Sequence, residues 1–128
     1  MTKRKEPNSM TQSFEPWGSN GEFSSALLCA GCGENNTHHV LVDVFNRSTE
    51  DSKLGTHMRI GTQDDITLSS DADTLNPSGR RNGVCIYYIC EHCDAVSALR
   101  IMQHKGTTFA YSTTEDNPDI IARARTGW

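Results

Sequence analysis

The chain lacks any apolar run near the ~20 residues needed to span a bilayer, so no membrane-crossing helix is expected. Apolar substance is thin throughout: hydrophobic residues make up 35% of the 128 positions and aromatics 7%, below the usual share for a globular domain. The deficit is uneven. Residues 1–25 hold no Leu, Ile or Val and cannot bury enough surface to offset the entropy of ordering them. That leaves roughly 90 residues to fold around a small core, a size at which a structural metal adds useful stability. Positive charge is also scarce, and a net charge of −4 argues against a strongly electrostatic nucleic-acid binder. The basic start, Met1 to Lys5, has no apolar stretch behind it and does not read as a signal peptide.

Cysteine is what the chain has. Four of its five form two C-x-x-C pairs, Cys29-Ala30-Gly31-Cys32 and Cys90-Glu91-His92-Cys93. Two-residue spacing lets both sulfurs of a pair reach one ion at about 2.3 Å, and two pairs supply the four soft ligands of a tetrahedral Zn²⁺. Cysteines grouped in this way suit metal ligation in a reducing compartment better than a disulfide framework, so a cytoplasmic location is expected. Gly31 and Gly33 flank Cys32, where a tight turn aims backbone amides at sulfur and favours positive φ. The fifth cysteine, Cys85, lies in an apolar run on the opposite face from Cys90 and reads as a buried small hydrophobe. His92 sits inside the second knuckle, but four thiolates already complete the shell, and it reads as exposed.

The rest of the chain reads mainly as β-structure. Residues 37–46 alternate, with His38, Val40, Val42 and Val44 on one face and His39, Leu41, Asp43 and Phe45 on the other. Arg47 to Ser52 is a polar loop; Thr56 to Ile60 and Asp65 to Ser69 are weaker strands. Ser69 to Gly83 is a long loop that carries the basic pair Arg80 and Arg81. Gly83 to Cys90 runs as a strand into the second knuckle, Ala95 to Met102 leaves it, and Thr108 to Ser112 pairs back across a turn at His104 to Thr107. The expected plan is an antiparallel sheet with two knuckles and a long insertion between them: a zinc ribbon over residues 26–114. A disordered arm (1–25) precedes it, and a tail (115–128) with helix-compatible spacing at Ile120, Ile121 and Ala124 follows.

Three catalytic readings compete with a structural metal. A dithiol redox site needs a helix after its C-x-x-C to lower the thiol pKa, whereas Ala95 to Ile101 reads as a strand. A zinc deaminase needs His-x-Glu ahead of Pro-Cys-x-x-Cys, and here His57 is followed by Met58 and Arg59 while Ile89 precedes Cys90. A His-Asn-His nuclease could use His38, His39 and Asn82 beside paired knuckles, but Thr37 stands where its Asp would be, and Asp94 follows Cys93 where histidine is usual. The basic residues Arg80, Arg81, Arg100, His104, Lys105, Arg123 and Arg125 are expected to converge at the knuckle end, there to neutralise a four-thiolate centre or to contact phosphate.

The two knuckles resemble the zinc-ribbon superfamily. More narrowly, Cys-x-x-Cys-Gly followed by Thr37 to Arg47 and the late Gln103 to Thr107 is similar to small zinc-ribbon proteins of actinobacteria and their phages, over roughly residues 27–112. The resemblance implies one structural Zn²⁺ on Cys29, Cys32, Cys90 and Cys93, while the narrower likeness carries no known activity; the leading expectation is a regulatory or host-directed module that binds a macromolecule. Arg80, Arg81, His104 and Lys105 are the candidate partner-binding residues. The acidic total favours a protein target over a nucleic acid, with a nucleic-acid-binding ribbon and the nuclease as alternatives.

Overall fold

The computed structural model describes residues 13–17, 24–61 and 65–126. Eight strands and one helix follow in order: β1 (Phe14–Trp17), β2 (Ser24–Leu27), β3 (Thr37–Arg47), β4 (Leu54–Ile60), β5 (Ile66–Asp71), β6 (Gly83–Cys90), β7 (Val96–His104), β8 (Thr107–Thr114) and α1 (Pro118–Thr126). β1 and β2 form a two-stranded ribbon, while the other six make one antiparallel sheet in the order β5-β4-β3-β6-β7-β8. This is two three-stranded meanders joined edge to edge along β3 and β6. Antiparallel pairing puts the start of β3 beside the end of β6, which creates a knuckle end and a far end. Among the described residues no helix is long and apolar enough to cross a membrane.

The expected arm over residues 1–25 is corrected at Phe14–Trp17, which pair with Ser24–Leu27. Hydrogen bonds rather than apolar content order this piece: Leu28 N–H donates to the Ser13 carbonyl at 2.8 Å, and Ser112 N–H to the Ser13 hydroxyl at 2.8 Å. The remainder of the expected disordered arm lies outside the described residues.

The alternation read over β3 is also corrected. A bulge between His39 and Leu41 shifts the register against β6, so His39 pairs with Tyr88 but Leu41 pairs with Tyr87. One extra residue reverses the phase of everything before it. His38 therefore shares a face with Leu41, Asp43 and Phe45, and His39 shares one with Val42 and Val44.

The two faces differ in their cover. On one, Leu41, Phe45, Tyr87, Ile89 and Ala98 pack against Ile120 and Ala124 of α1. Asn117 caps that helix by accepting from Asp119 and Ile120 N–H at 2.9 and 3.3 Å, with Pro118 at its first turn, so a segment too short to be helical alone is held by its cap and its apolar contact. This helix face also carries buried charge. Asp43, 0% exposed, accepts from Arg59 Nε and Nη2 at 2.7 and 2.8 Å and from the Tyr87 hydroxyl at 3.2 Å. Burial pushes the Tyr87 phenol far above its ordinary range, so it stays a donor. Arg100 lies in the same register row and is paired with Glu115 at 3.2 Å; next to it Cys85 is fully buried, as its apolar strand implies.

The opposite face carries two apolar rows in register across six strands. One runs Ile66, Ile60, Val42, Ile86, Leu99, Ser112; the other runs Leu68, Met58, Val44, Val84, Ile101, Ala110. At the knuckle end this open face is covered by the chain around the first knuckle: the Tyr88 hydroxyl donates to the Leu28 carbonyl at 2.7 Å and Ala30 N–H to the Ser97 hydroxyl at 3.2 Å. Farther along, Ile60, Ile66 and Leu68 remain 38%, 59% and 71% exposed.

The far end is closed by Arg47, read from sequence as loop but placed as the last, buried residue of β3. Its guanidinium donates to the carbonyls of Arg81, Ser52 and Ser78 and to the Asp73 carboxylate at 2.7–2.9 Å, while its own N–H donates to Asn82 at 2.8 Å. Residues 72–82, which carry the chain from the β5 edge back to β6, are thus tied to the sheet. Replacing Arg47 with Met leaves those acceptors unpaired and is expected to cost about 3–5 kcal/mol in urea unfolding. Arg47→Lys should recover only part of this, because one ammonium cannot reproduce a planar fork with divergent donors.

Candidate metal centre

The two C-x-x-C segments adopt the same turn. Gly31 N–H donates to Cys29 Sγ at 3.3 Å, and His92 N–H donates to Cys90 Sγ at 3.3 Å. Gly33 N–H closes onto the Cys29 carbonyl at 2.9 Å, and Asp94 N–H onto the Cys90 carbonyl at 3.2 Å. The residue after each second cysteine is left-handed, with φ of 81° at Gly33 and 60° at Asp94. Gly31, expected to share that conformation, does not. Its role is space: a Cβ there would stand 3.3 Å from Ala95 Cβ and 3.6 Å from Cys29 Sγ.

Backbone contacts bring the knuckles together. Cys90, the last residue of β6, pairs with Thr37, the first of β3, and Glu91 N–H donates to the Asn36 carbonyl at 3.0 Å. The four sulfurs then lie within 4.8 Å of one another, with Cys29 to Cys93 at 3.6 Å and Cys32 to Cys90 at 3.5 Å. A tetrahedron of sulfurs about 2.3 Å from a central ion has edges of about 3.8 Å, so the observed spacing fits a metal held by all four. It is far too long for S–S bonds of about 2.05 Å. Cys29 and Cys90 are buried, and Cys32 and Cys93 face solvent.

The thiols are inequivalent. Burial opposes ionisation of Cys29, but backbone hydrogen bonds from Cys32 and Gly31 outweigh it and bring the thiol down to about 7. At Cys93 a backbone hydrogen bond from Ala95 favours the thiolate. Desolvation and the neighbouring Cys29, Cys32 and Cys90 overcome it and push the thiol up to about 12. Four sulfurs this close cannot all carry charge without a cation, and a divalent ion supplies the missing attraction. The four cysteines are close enough to bind one metal ion, and the donor set is consistent with a structural zinc.

The histidines stay outside it. His92 is exposed, 2.7 Å from the Asn36 amide nitrogen. His38 pairs with Glu91 at 3.0 Å, and the bulge places His39 on the other face of the sheet. Among the described residues, no second cluster of three ligating side chains is assembled.

The basic residues do not gather at this end, which corrects the expectation from sequence. Arg100 is buried and paired with Glu115, Arg123 is paired with Asp65, and Arg125 alone reaches the knuckles, donating to the Asp94 carbonyl at 3.1 Å. Arg80, Arg81, His104 and Lys105 do come together, with Gly79 and Gln103, around a cleft of about 160 Å³. That cleft is at the far end, some eight residues or about 27 Å along β7. Its guanidiniums are already engaged. Arg80 meets Asp51 at 2.6 and 2.9 Å and Glu50 at 3.1 Å, and Arg81 meets Glu50 at 3.2 Å. The Arg80 guanidinium holds the Asp51 carboxyl below its ordinary range. The loop 48–53 that supplies both acids carried no motif; Asp51 takes a left-handed turn there, φ 68°.

The matched left-handed positions yield opposite expectations. Gly33→Ala forces a Cβ into φ 81° and should destabilise by about 1–2 kcal/mol, whereas Asp94→Gly relieves the same strain and should stabilise by about 0.5–1 kcal/mol. Thermal unfolding of the metal-loaded protein reads both.

In comparisons with known proteins, no family model, curated protein or solved structure matches this chain.

Proposed function

We propose that the chain is a zinc-scaffolded binding module of the ribbon kind, non-catalytic in itself, whose target is a macromolecule and by preference a protein. The observation that carries this reading is the number of donors: four sulfurs lie within 4.8 Å of one another, enough to fill every position of a tetrahedral ion, whereas a catalytic zinc keeps a corner for water or substrate. The ion's work is then to fasten the start of β3 to the end of β6, in a compartment that keeps thiols reduced. The nuclease alternative is disfavoured by the opposed faces of His38 and His39.

Two further features support a protein target. Arg80 and Arg81 are spent on Glu50 and Asp51, which weakens them as phosphate ligands. The open face, by contrast, offers uncharged apolar contact. A nucleic-acid target is the second reading, favoured by the gathering of Arg80, Arg81, His104 and Lys105 around one cleft.

Protein purified under reducing conditions should hold about one equivalent of Zn²⁺, and a chelator should abolish its cooperative unfolding transition. Metal analysis that finds none removes the zinc. Association with nucleic acid should fall steeply with salt and on changing Arg80 and Arg81 to Ala, whereas capture of a protein target should survive nuclease treatment.

A further inference from the structure

The open face raises a question of what covers it. Its two apolar rows contain no charged residue; Leu99 and Ser112, at one end of the first row, are buried, and the rest are half-buried or exposed. Strands about 4.8 Å apart and rows about 7 Å apart give this remainder a projected patch of roughly 280 Å² before the relief of the side chains is counted. That is close to the largest patch a monomer ordinarily leaves to water. The chain's own remaining segments are poorly suited to it. Residues 1–12, 18–23, 62–64 and 127–128 offer only Met1, Met10, Phe23 and Trp128 as large apolar side chains, spread over three separate pieces.

A second copy supplies what the face requires: an identical apolar surface of the same twist and row spacing, able to stack about 10 Å away with strands aligned to within about 30°. The relief selects one arrangement. The first knuckle rises from this face at one end, so copies stacked with the same ends together would collide. A two-fold axis across the strands instead sets each knuckle end over the partner's far end. Charge favours that pairing. The knuckle end carries exposed Glu34, Glu91 and Asp94 against Arg125, while the far end carries exposed Lys53, Arg80, Arg81 and Lys105 against Glu50, Asp51 and Asp71. Three acids against one base face four bases against three acids.

From this we infer that the open half of the sheet is a self-association surface, on which a second copy stacks face to face with its ends reversed. The inference rests on reading the open face as a protein-binding surface. The modest area makes the dimer reversible.

Sedimentation equilibrium of the zinc-loaded full chain tests it, over about 1–200 µM, a span suited to a weak interface. The expected result is a rise from 14.2 kDa toward twice that mass with concentration, weakened by salt. Ile86→Asp at the patch centre and Leu68→Lys, at a position already 71% exposed, should each hold the protein monomeric with its zinc content and circular dichroism unchanged. Using both guards against a folding defect at Ile86. A monomer at every concentration overturns the inference. So does a dimer that survives Ile86→Asp and Leu68→Lys but is lost in Thr67→Pro, which marks pairing through the β5 edge. Capture of a different protein, lost in Ile86→Asp while the free chain stays monomeric, overturns self-association and leaves the protein-binding reading standing.

Discussion

The seam between β3 and β6 is the constraint on which the rest depends. These strands are far apart in the chain, and their pairing alone turns two local meanders into one sheet. Long-range pairing incurs loop-closure entropy before any contact is gained. The protein clasps the seam at both ends by different chemistry. At one end four sulfurs close around a point where Thr37 meets Cys90. At the other, Arg47 gathers the carbonyls of the returning chain. Between the clasps, Asp43 and Cys85 face each other across the seam, and the Asp43 carboxylate is held by Arg59 from β4 and Tyr87 from β6.

Much of this was legible in the sequence, and the gaps have physical causes. The C-x-x-C pairs identify the four ligands because metal chelation has a short, fixed spacing that needs no knowledge of the fold. Strands β6, β7 and β8 announce themselves through apolar runs and a turn at Lys105-Gly106. Arg47 was hidden because an arginine after an alternating run reads as solvated; only its ring of carbonyl acceptors, contributed by residues 52, 78 and 81, makes burial tolerable. The basic residues were misplaced for a different reason. Their separation in sequence says nothing about which end of a sheet they occupy, and only the strand order reveals that β7 carries His104 away from the metal. The N-terminal ribbon was missed because the hydrogen bonds that tie it down come from Leu28, Asn35 and Ser112, which lie outside its own alternation pattern.

The two faces of the sheet divide the labour. One is finished: α1, its Asn117 cap and the paired charges of Asp43 and Arg100 fill it. The other is covered where the first knuckle lies over Tyr88 and Ser97 and where Ser13 meets Ser112, beside the buried Leu99. A metal ion held by the four sulfurs would therefore stabilise more than its own turns, since it would hold down the first knuckle and the cover it provides on this side.

The bulge at Val40 separates these two jobs. Because side chains alternate with a period of two, an insertion or deletion within a strand normally exchanges its inside for its outside. Here one residue is already out of step, so the segment ahead of it and the segment behind it keep independent frames. Removing Val40 at the bulge would leave His38 opposite Ile89 and His39 opposite Tyr88, with the phase of the core segment untouched. Removing one after Leu41 would turn Asp43 out among the bare valines and drive a valine into its salt bridge. The strand thus behaves as two phrases joined by a rest: the metal end can tolerate a change of length that the core cannot.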